Sequence, residues 1–211
     1  MGDGRRTSAE TRRRLLDGAD QVLREHGYAG TSARTIAAAA EVNSALVFYH
    51  FGGVDQLLLA ALDRSSAERM ELHGATVARA RTVEELVEAA VRIYRTDLER
   101  GYLAQFSEIV AAAVTKPELR EAISDRAEPW IAFVEEAWER VTGGTPLGRL
   151  LPAREVANAA ITFYLGVNLF SVIDPDQSRT EEVLTLAGRL APRAKLLTMR
   201  LPGQRSRSAS S

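Results

Sequence analysis

Apolar residues recur along this chain at the three- and four-residue steps of a helix, and clear one-by-one alternation of the kind a half-buried strand needs is absent. Glycines and prolines fall mostly between the periodic stretches, where turns use them. The chain is therefore expected to be all-α. Its 211 residues suffice for one large domain or two small ones, and a hydrophobic fraction of 45% is enough to fill a core.

The first helix is expected to open on Thr7 and Glu10 in capping-box spacing, with an apolar stripe of Leu15, Leu16, Ala19, Val22 and Leu23. Gly27 supplies its left-handed stop. Thr31 and Ser32 open a short second helix holding Ile36, Ala37 and Ala40. Glu41-Val42 is a tight connection, and Asn43 caps a third helix that runs to about His50. Gly52-Gly53 breaks the run before a longer helix through Leu57, Leu58, Ala61 and Leu62. Further helices are expected at 82–100, 103–114, 117–142, 152–174 and 179–200, with Pro117 and Pro152 in first turns and Pro192 bending or ending the last. The tail at 202–211 has nothing to bury and is expected to be disordered.

Several function classes are disfavoured at once. There is no cysteine, hence no disulfide, thiolate-bound zinc or thiol nucleophile. Gly-rich phosphate loops, His-x-x-x-His pairs and Gly-x-Ser-x-Gly elbows do not occur. The carboxylate pairs Glu84-Glu85, Glu135-Glu136 and Glu181-Glu182 are adjacent, which on a helix sets the members about 100° apart and keeps them from converging. His26 and His73 are isolated and read as structural or surface residues. No catalytic residue, metal or cofactor is assigned. No membrane-length apolar run and no apolar leader follow Met1, so a cytoplasmic protein with no membrane partner is expected. A net charge of −1 rules out a uniformly basic coat, but a local DNA-binding face remains open.

The informative segment is Thr31 to Phe51. Two short helices joined by a tight turn, the first rich in alanine, describe a helix-turn-helix. Small side chains let the supporting helix lie close to the recognition helix, and Val42 and Val47 are the apolar contacts expected to fix their crossing angle. Ser44, Ala45, Leu46, Phe48 and Tyr49 are then free to face a DNA major groove. Arg34, in the first turn of the second helix, is placed to hold a backbone phosphate. Arg5 and Arg6 from an N-terminal arm, with Arg12, Arg13 and Arg14, offer further phosphate contacts. For Arg12 to Arg14 a solvated helix face is the equal alternative, because Asp17 and Asp20 share that helix.

In order, spacing and residue type this stretch resembles the DNA-binding motif of the TetR (tetracycline repressor) family. The matching residues are Thr31-Ser32, Ile36-Ala37, Ala40, Val42, Phe48-Tyr49-His50-Phe51 and Leu57, preceded by Thr11-Arg12, Leu15-Leu16, Ala19 and Gly27-Tyr28. The resemblance covers residues 9–69 in detail. It implies DNA contacts at Ser32, Arg34, Ser44, Ala45, Leu46, Phe48, Tyr49 and His50, with Asn43 heading the recognition helix among them. Three positions depart from the family pattern. Glu41 stands where glycine is usual, at a cost on the order of 1 kcal/mol if the backbone there is left-handed. Phe48 lacks the hydroxyl of a common tyrosine, and Val54 replaces a frequent lysine, so anchoring to phosphate should be weaker.

The resemblance also implies an organisation: a flexible basic arm at 1–8, a three-helix DNA-binding domain at 9–69 with its motif at 32–51, and a larger helical effector-binding and dimerisation domain at 70–201. Ile161, Leu165, Asn168, Leu169 and Val172, with Val183, Leu186 and Leu190, form helical stripes that either build a homodimer or pack within one subunit, and Gly166 permits close approach. Tyr94, Tyr102, Phe106, Trp130, Phe133 and Phe163 either line a ligand cavity or are ordinary core. Few charges interrupt these stretches, which favours an apolar or aromatic effector. The expected function is a repressor that binds a palindromic operator as a homodimer until a small ligand releases it. The alternatives are a DNA-binding regulator without small-molecule effector, or a helical ligand carrier or enzyme with a degenerate DNA-binding head.

Overall fold

The computed structural model describes the backbone of residues 3–173, 178–194 and 198, and their side chains apart from 3–6, 103–104, 168, 171–173 and 194. Among the described residues there is no strand. The helices are α1 (Asp3–His26), α2 (Ala33–Ala39), α3 (Ala45–Phe51), α4 (Val54–Arg79), α5 (Val83–Glu99), α6 (Tyr102–Ala113), α7 (Pro117–Thr142), α8 (Pro146–Leu150), α9 (Ala153–Ile173) and α10 (Ser178–Leu190), followed by a 3-10 turn at Ala191–Ala194. The all-helical fold expected from the periodicity is thus the one found.

Three local expectations are corrected. α1 begins at Asp3, so residues 3–8 are its first turns and not an arm, and Thr7 is no cap: its carbonyl accepts a hydrogen bond from the Thr11 hydroxyl at 2.8 Å. Met1, Gly2 and the side chains of Arg5 and Arg6 lie outside the described residues. The last helix, expected to reach 200, stops at Leu190 ahead of Pro192, whose missing N–H suits the tighter turn that follows. The tail at 202–211 lies outside the described residues. α8 was not foreseen. Its Thr145 hydroxyl accepts from the Gly148 amide at 3.2 Å and Pro146 occupies the first turn, but five residues are too few to show a period.

The chain forms two compact units that interleave along the sequence: Met1–Gly74 with Tyr94–Glu128, and Ala75–Ile93 with Pro129–Ser211. In the first, Leu15, Ala19, Val22 and Leu23 of α1 meet Ile36, Ala40, Val47, Leu57, Leu58 and Ile109 in one buried cluster. Helices of seven residues, as α2 and α3 are, fall below the length of about 12 that stands alone in water, so this burial is what keeps them helical. Gly18 makes the closest approach possible: a Cβ there would lie 2.9 Å from the Ile36 carbonyl oxygen and 3.1 Å from the Ala40 Cβ. The alanines of α2 are therefore half of the reason the two helices touch, and Gly18 is the other half.

Polar ties complete the first unit. The Tyr28 hydroxyl donates to Asp55 Oδ1, and Lys116 Nζ donates to both Tyr28 Oη and Asp55 Oδ2. The Tyr28 amide donates to Glu108 Oε2 at 2.8 Å, and Gln105 donates to the Asp20 carbonyl at 3.3 Å. Arg64 bridges Asp17 and Asp20 at 2.7 and 2.6 Å, and Arg126 grips Asp63 through two nitrogens. Deeper still, the fully buried Asp97 accepts from Arg69 Nε at 3.0 Å and from the same guanidinium's NH2, while His73 Nε2 lies 3.5 Å from its Oδ1. His73, read from sequence as structural or surface, is a buried residue beside a carboxylate.

In the second unit Val77, Ala89 and Ala137 are buried together, with Leu86, Ile93 and Phe133 packed around them. Arg140 donates to the Val77 carbonyl at 3.3 Å, and Trp138 Nε1 donates to the Leu151 carbonyl at 3.1 Å. α9 and α10 leave Phe163, Leu169, Phe170, Val183, Leu186 and Leu190 exposed.

Candidate nucleic-acid interface

α2 starts at a reciprocal cap: Ser32 Oγ accepts from the Thr35 amide at 3.1 Å, and Thr35 Oγ1 accepts from the Ser32 amide at 2.9 Å. Thr35 was not singled out from sequence, because a threonine at the third helical position takes the place of the usual Glu or Gln. Ser32 is exposed, and its hydroxyl is already engaged in this cap. Arg34 is exposed in the same turn, with no ion pair among the described residues.

α2 ends in a pair of crossed hydrogen bonds, Val42 N to Ala37 O at 2.9 Å and Glu41 N to Ala38 O at 3.1 Å, which is the Schellman arrangement. That arrangement needs a left-handed residue between helix and exit. Here it is Glu41, with φ of 50°, alone among the described non-glycine residues in having positive φ. The left-handed glutamate inferred from sequence is thus present, at a cost on the order of 1 kcal/mol relative to glycine.

Asn43 Oδ1 then accepts from the Ala45 amide at 2.8 Å, satisfying an otherwise orphaned donor as α3 begins. Val47 is fully buried, while Leu46 and Phe51 lean half-buried on the same core. Ser44, Ala45, Phe48 and Tyr49, at positions i, i+1, i+4 and i+5, share the outer face. Phe48 is 58% exposed and Tyr49 80%. Leu46 departs from the expectation that it lies free at the groove, because the helical turn that buries Val47 also carries its neighbour inward. His50 is half-buried, its ring edge-on to Tyr49 at 4.9 Å. Gly52, with φ of 81°, closes α3 by donating to the Phe48 carbonyl.

Arg12, Arg13 and Arg14 of α1 are engaged within the protein. Arg13 pairs with Glu10 at 2.6 Å and Asp17 at 3.1 Å, and its hydrogen bond holds the Glu10 carboxyl below the ordinary carboxylate range. Arg12 donates to the His50 carbonyl at 3.3 Å and lies 4.3 Å over the Phe51 ring. Arg14 donates to both the carbonyl and the carboxylate of Glu41, each at 3.2 Å.

The residues expected to meet a ligand are divided between the units. Tyr94, Tyr102 and Phe106 belong to the first, where Tyr94 is buried and Tyr102 lies under the Arg69 guanidinium at 5.7 Å. Trp130, Phe133 and Phe163 belong to the second, where Trp130 and Phe133 stack edge to face at 6.0 Å and Phe163 is 46% exposed. An open groove in the second unit, of about 670 Å³, is lined by Ala132, Glu135, Glu136, Glu139, Arg140 and Ala153 and by none of these aromatics. Glu135 and Glu136, expected to diverge, both border it. Among the residues expected at a dimer face, Leu169, Val183, Leu186 and Leu190 are exposed and Ile161 and Leu165 half-buried. The side chains of Asn168 and Val172 lie outside the described residues. Phe170, 56% exposed on α9, had not been singled out. No group of metal-ligating side chains occurs among the described residues, and no single helix is long and apolar enough to cross a membrane.

Comparison with known proteins adds the following. Residues 15–61 match the family described as bacterial regulatory proteins, tetR family. The HTH-type transcriptional repressor AcnR of Corynebacterium efficiens is 36% identical over 118 residues, spanning 54% of this chain and 57% of that protein. The chain thus aligns with a little over half the length of that curated relative. The HTH-type transcriptional regulator CymR of Pseudomonas putida is 28% identical over 194 residues, spanning 87% of this chain and 92% of CymR. Among solved structures, a transcriptional regulator from Saccharomonospora viridis in complex with choline superposes with a TM-score of 0.68 at 19% identity, covering 86% of this chain and 95% of that one.

Proposed function

We propose that this chain, whose residues 15–61 match the tetR family of bacterial regulatory proteins, is a transcriptional repressor that binds a palindromic operator as a homodimer and is released by a small apolar or aromatic ligand. The observation that carries DNA binding is the outer face of α3. Phe48 and Tyr49 stand in solvent beside Ser44 and Ala45 on a helix whose opposite side is anchored by Val47. Adjacent exposed aromatics on so short a helix are unfavourable in water and become favourable against a groove that takes up their edges and methyl-sized surfaces. Arg34, Ser32 and Asn43 face the phosphates in this reading, while Ser44, Ala45, Phe48, Tyr49 and His50 face base edges or the sugar–phosphate wall. Residues 9–69 act as the reading head and 70–201 as the effector-binding and dimerisation part.

Dimerisation is supported by the exposed apolar side chains of α9 and α10, together with Gly166, where a Cβ would meet nothing within 4 Å and a second helix has room to approach. A two-fold pair sets its recognition helices about 34 Å apart, one turn of DNA, and so reads a palindrome. A ligand that favours another spacing weakens binding by its difference in affinity for the two states and by no more. Tyr94, Tyr102, Phe106, Trp130, Phe133 and Phe163 supply the aromatic surface from which its site is drawn. A chain of this fold that holds choline is in keeping with a small-molecule site. The protein acts in the cytoplasm in this reading.

Fluorescence anisotropy on duplexes selected from random sequence by the protein tests the proposal. Affinity should fall steeply with salt, by a log–log slope of about −0.9 per phosphate neutralised. Arg34→Ala should weaken all duplexes alike, while Ser44→Ala and Tyr49→Ala should change sequence preference. Light scattering should give a dimer. A flat salt dependence, or a monomer on DNA, overturns the reading.

A further inference from the structure

We propose that Arg12 and Arg14 are positioning residues for the recognition helix: from α1, one guanidinium holds the C-terminal end of α3 and the other the turn that leads into it, and together they set the angle at which it meets DNA, without binding phosphate themselves. The inference rests on the DNA-binding reading for its consequence, but its geometry is independent of DNA. α3 is seven residues long, hence about 10 Å, and makes too few internal hydrogen bonds to fix its own direction. One side is tied to the core by Val47, with Leu46 and Phe51 half-buried against the same cluster, and the outer side is left to be steadied from elsewhere.

The C-terminal end of α3 and the turn that enters it are both held from α1. At the far end Arg12 donates to the His50 carbonyl at 3.3 Å, one of the last carbonyls that a helix leaves unpaired, and its positive charge suits the negative pole there. The same guanidinium lies over the Phe51 ring, adding a cation–π contact. In the turn before α3 Arg14 donates to Glu41, to its backbone carbonyl and its carboxylate together. Glu41 is the left-handed residue on which the turn into α3 pivots. A glycine would enter that conformation freely and also leave it freely. The glutamate is strained, but its side chain gives Arg14 something to hold, so the turn is latched in place.

The test uses the full chain with Arg12→Ala, Arg14→Ala, both lysine counterparts, and Arg13→Ala as control, since among the described residues Arg13 pairs with Glu10 and Asp17 of its own helix. In the absence of DNA, hydrogen exchange should quicken about three- to tenfold at the amides of Phe48 to Phe51 in the Arg12 variant, and at Val42 and Ala45 in the Arg14 variant. Exchange at Leu15, Leu57 and Leu58 should stay unchanged in both. On the selected duplex, affinity should drop about tenfold with the salt slope unaltered, and on an unrelated duplex by less than about twofold. Lysine should restore part of the loss, and Arg14→Ala should matter less in a Glu41→Gly background. A salt slope lowered by about 0.9 per arginine would make them phosphate contacts and overturn the proposal. Unchanged exchange at α3 overturns it equally. If no duplex is selected at all, the DNA-binding reading fails, while the exchange measurement still decides whether the two arginines hold the helix.

Discussion

Tyr28 gives its hydroxyl hydrogen to Asp55 at 2.6 Å and receives one from Lys116 at the same distance, so a single phenol oxygen joins the α1–α2 loop, α4 and the residue preceding α7. Lys116 closes the ring by donating to the other carboxylate oxygen at 2.8 Å. Removing either partner strands a half-buried polar group. Tyr28→Phe and Lys116→Met are each expected to destabilise the protein by about 1–2 kcal/mol, with less than additive loss in the double variant, read from urea denaturation midpoints.

The same ring predicts a pH dependence. Burial pushes the Asp55 carboxyl up, but the hydrogen bonds from Lys116 and Tyr28 and the lysine charge together bring it below its ordinary value. A carboxyl lowered on folding stabilises the native state above its unfolded value, and that stability is lost as pH falls through the folded one. The advantage of the natural protein over Asp55→Asn should therefore be constant between about pH 5 and 7 and shrink below about pH 4. Asp20 has the opposite sign. Burial holds its carboxyl up despite Arg64, so Asp20→Asn should gain relative stability as pH rises through the range in which the natural carboxyl ionises. Urea midpoints across the acid range check both.

A Cβ at Gly18 would lie 2.9 Å from the Ile36 carbonyl oxygen, closer than real Cβ atoms come, and 3.1 Å from the Ala40 Cβ and amide nitrogen. The obstacle is backbone, which cannot swing aside as a side-chain tip would. Gly18→Ala should separate α1 from α2 and cost about 1–3 kcal/mol, despite alanine's better helix propensity. Thermal unfolding against a Gly74→Ala control, where a Cβ meets nothing within 4 Å, should show a loss at position 18 and a small gain at 74.

Asp97 is fully buried and meets Arg69 and His73. Truncating one member of a buried ion pair leaves the other charge without compensation. Asp97→Asn should cost about 3–5 kcal/mol, well above the effect of breaking the exposed Arg13–Glu10 pair, as measured by chemical denaturation.

The helices were legible because their apolar periods are long and their stops are glycines or prolines. α7 begins and ends where Pro117 and the Gly143-Gly144 break put it. The left-handed backbone at Glu41 was legible too, through a single departure from a familiar motif. What escaped were relations between residues far apart in the chain. Nothing local to Tyr28, Asp55 and Lys116 announces that they meet, and Arg69, His73 and Asp97 look like ordinary surface charges until α4 and α5 are folded together. Arg12 and Arg14 were read as free cations for a related reason: sequence displays their charge, but not the carbonyls of His50 and Glu41 that they satisfy.

The interleaving of the first unit bears on how such proteins are recombined. Ile109 sits in the same buried cluster as Leu15 and Val47, and Lys116 and Glu108 both grip Tyr28. A chimera joined just after α4 would strip those partners from the transplanted piece and leave a sticky, half-finished hydrophobic surface. Grafting this protein's specificity onto another scaffold would need the segment from 94 to 128 carried along as well.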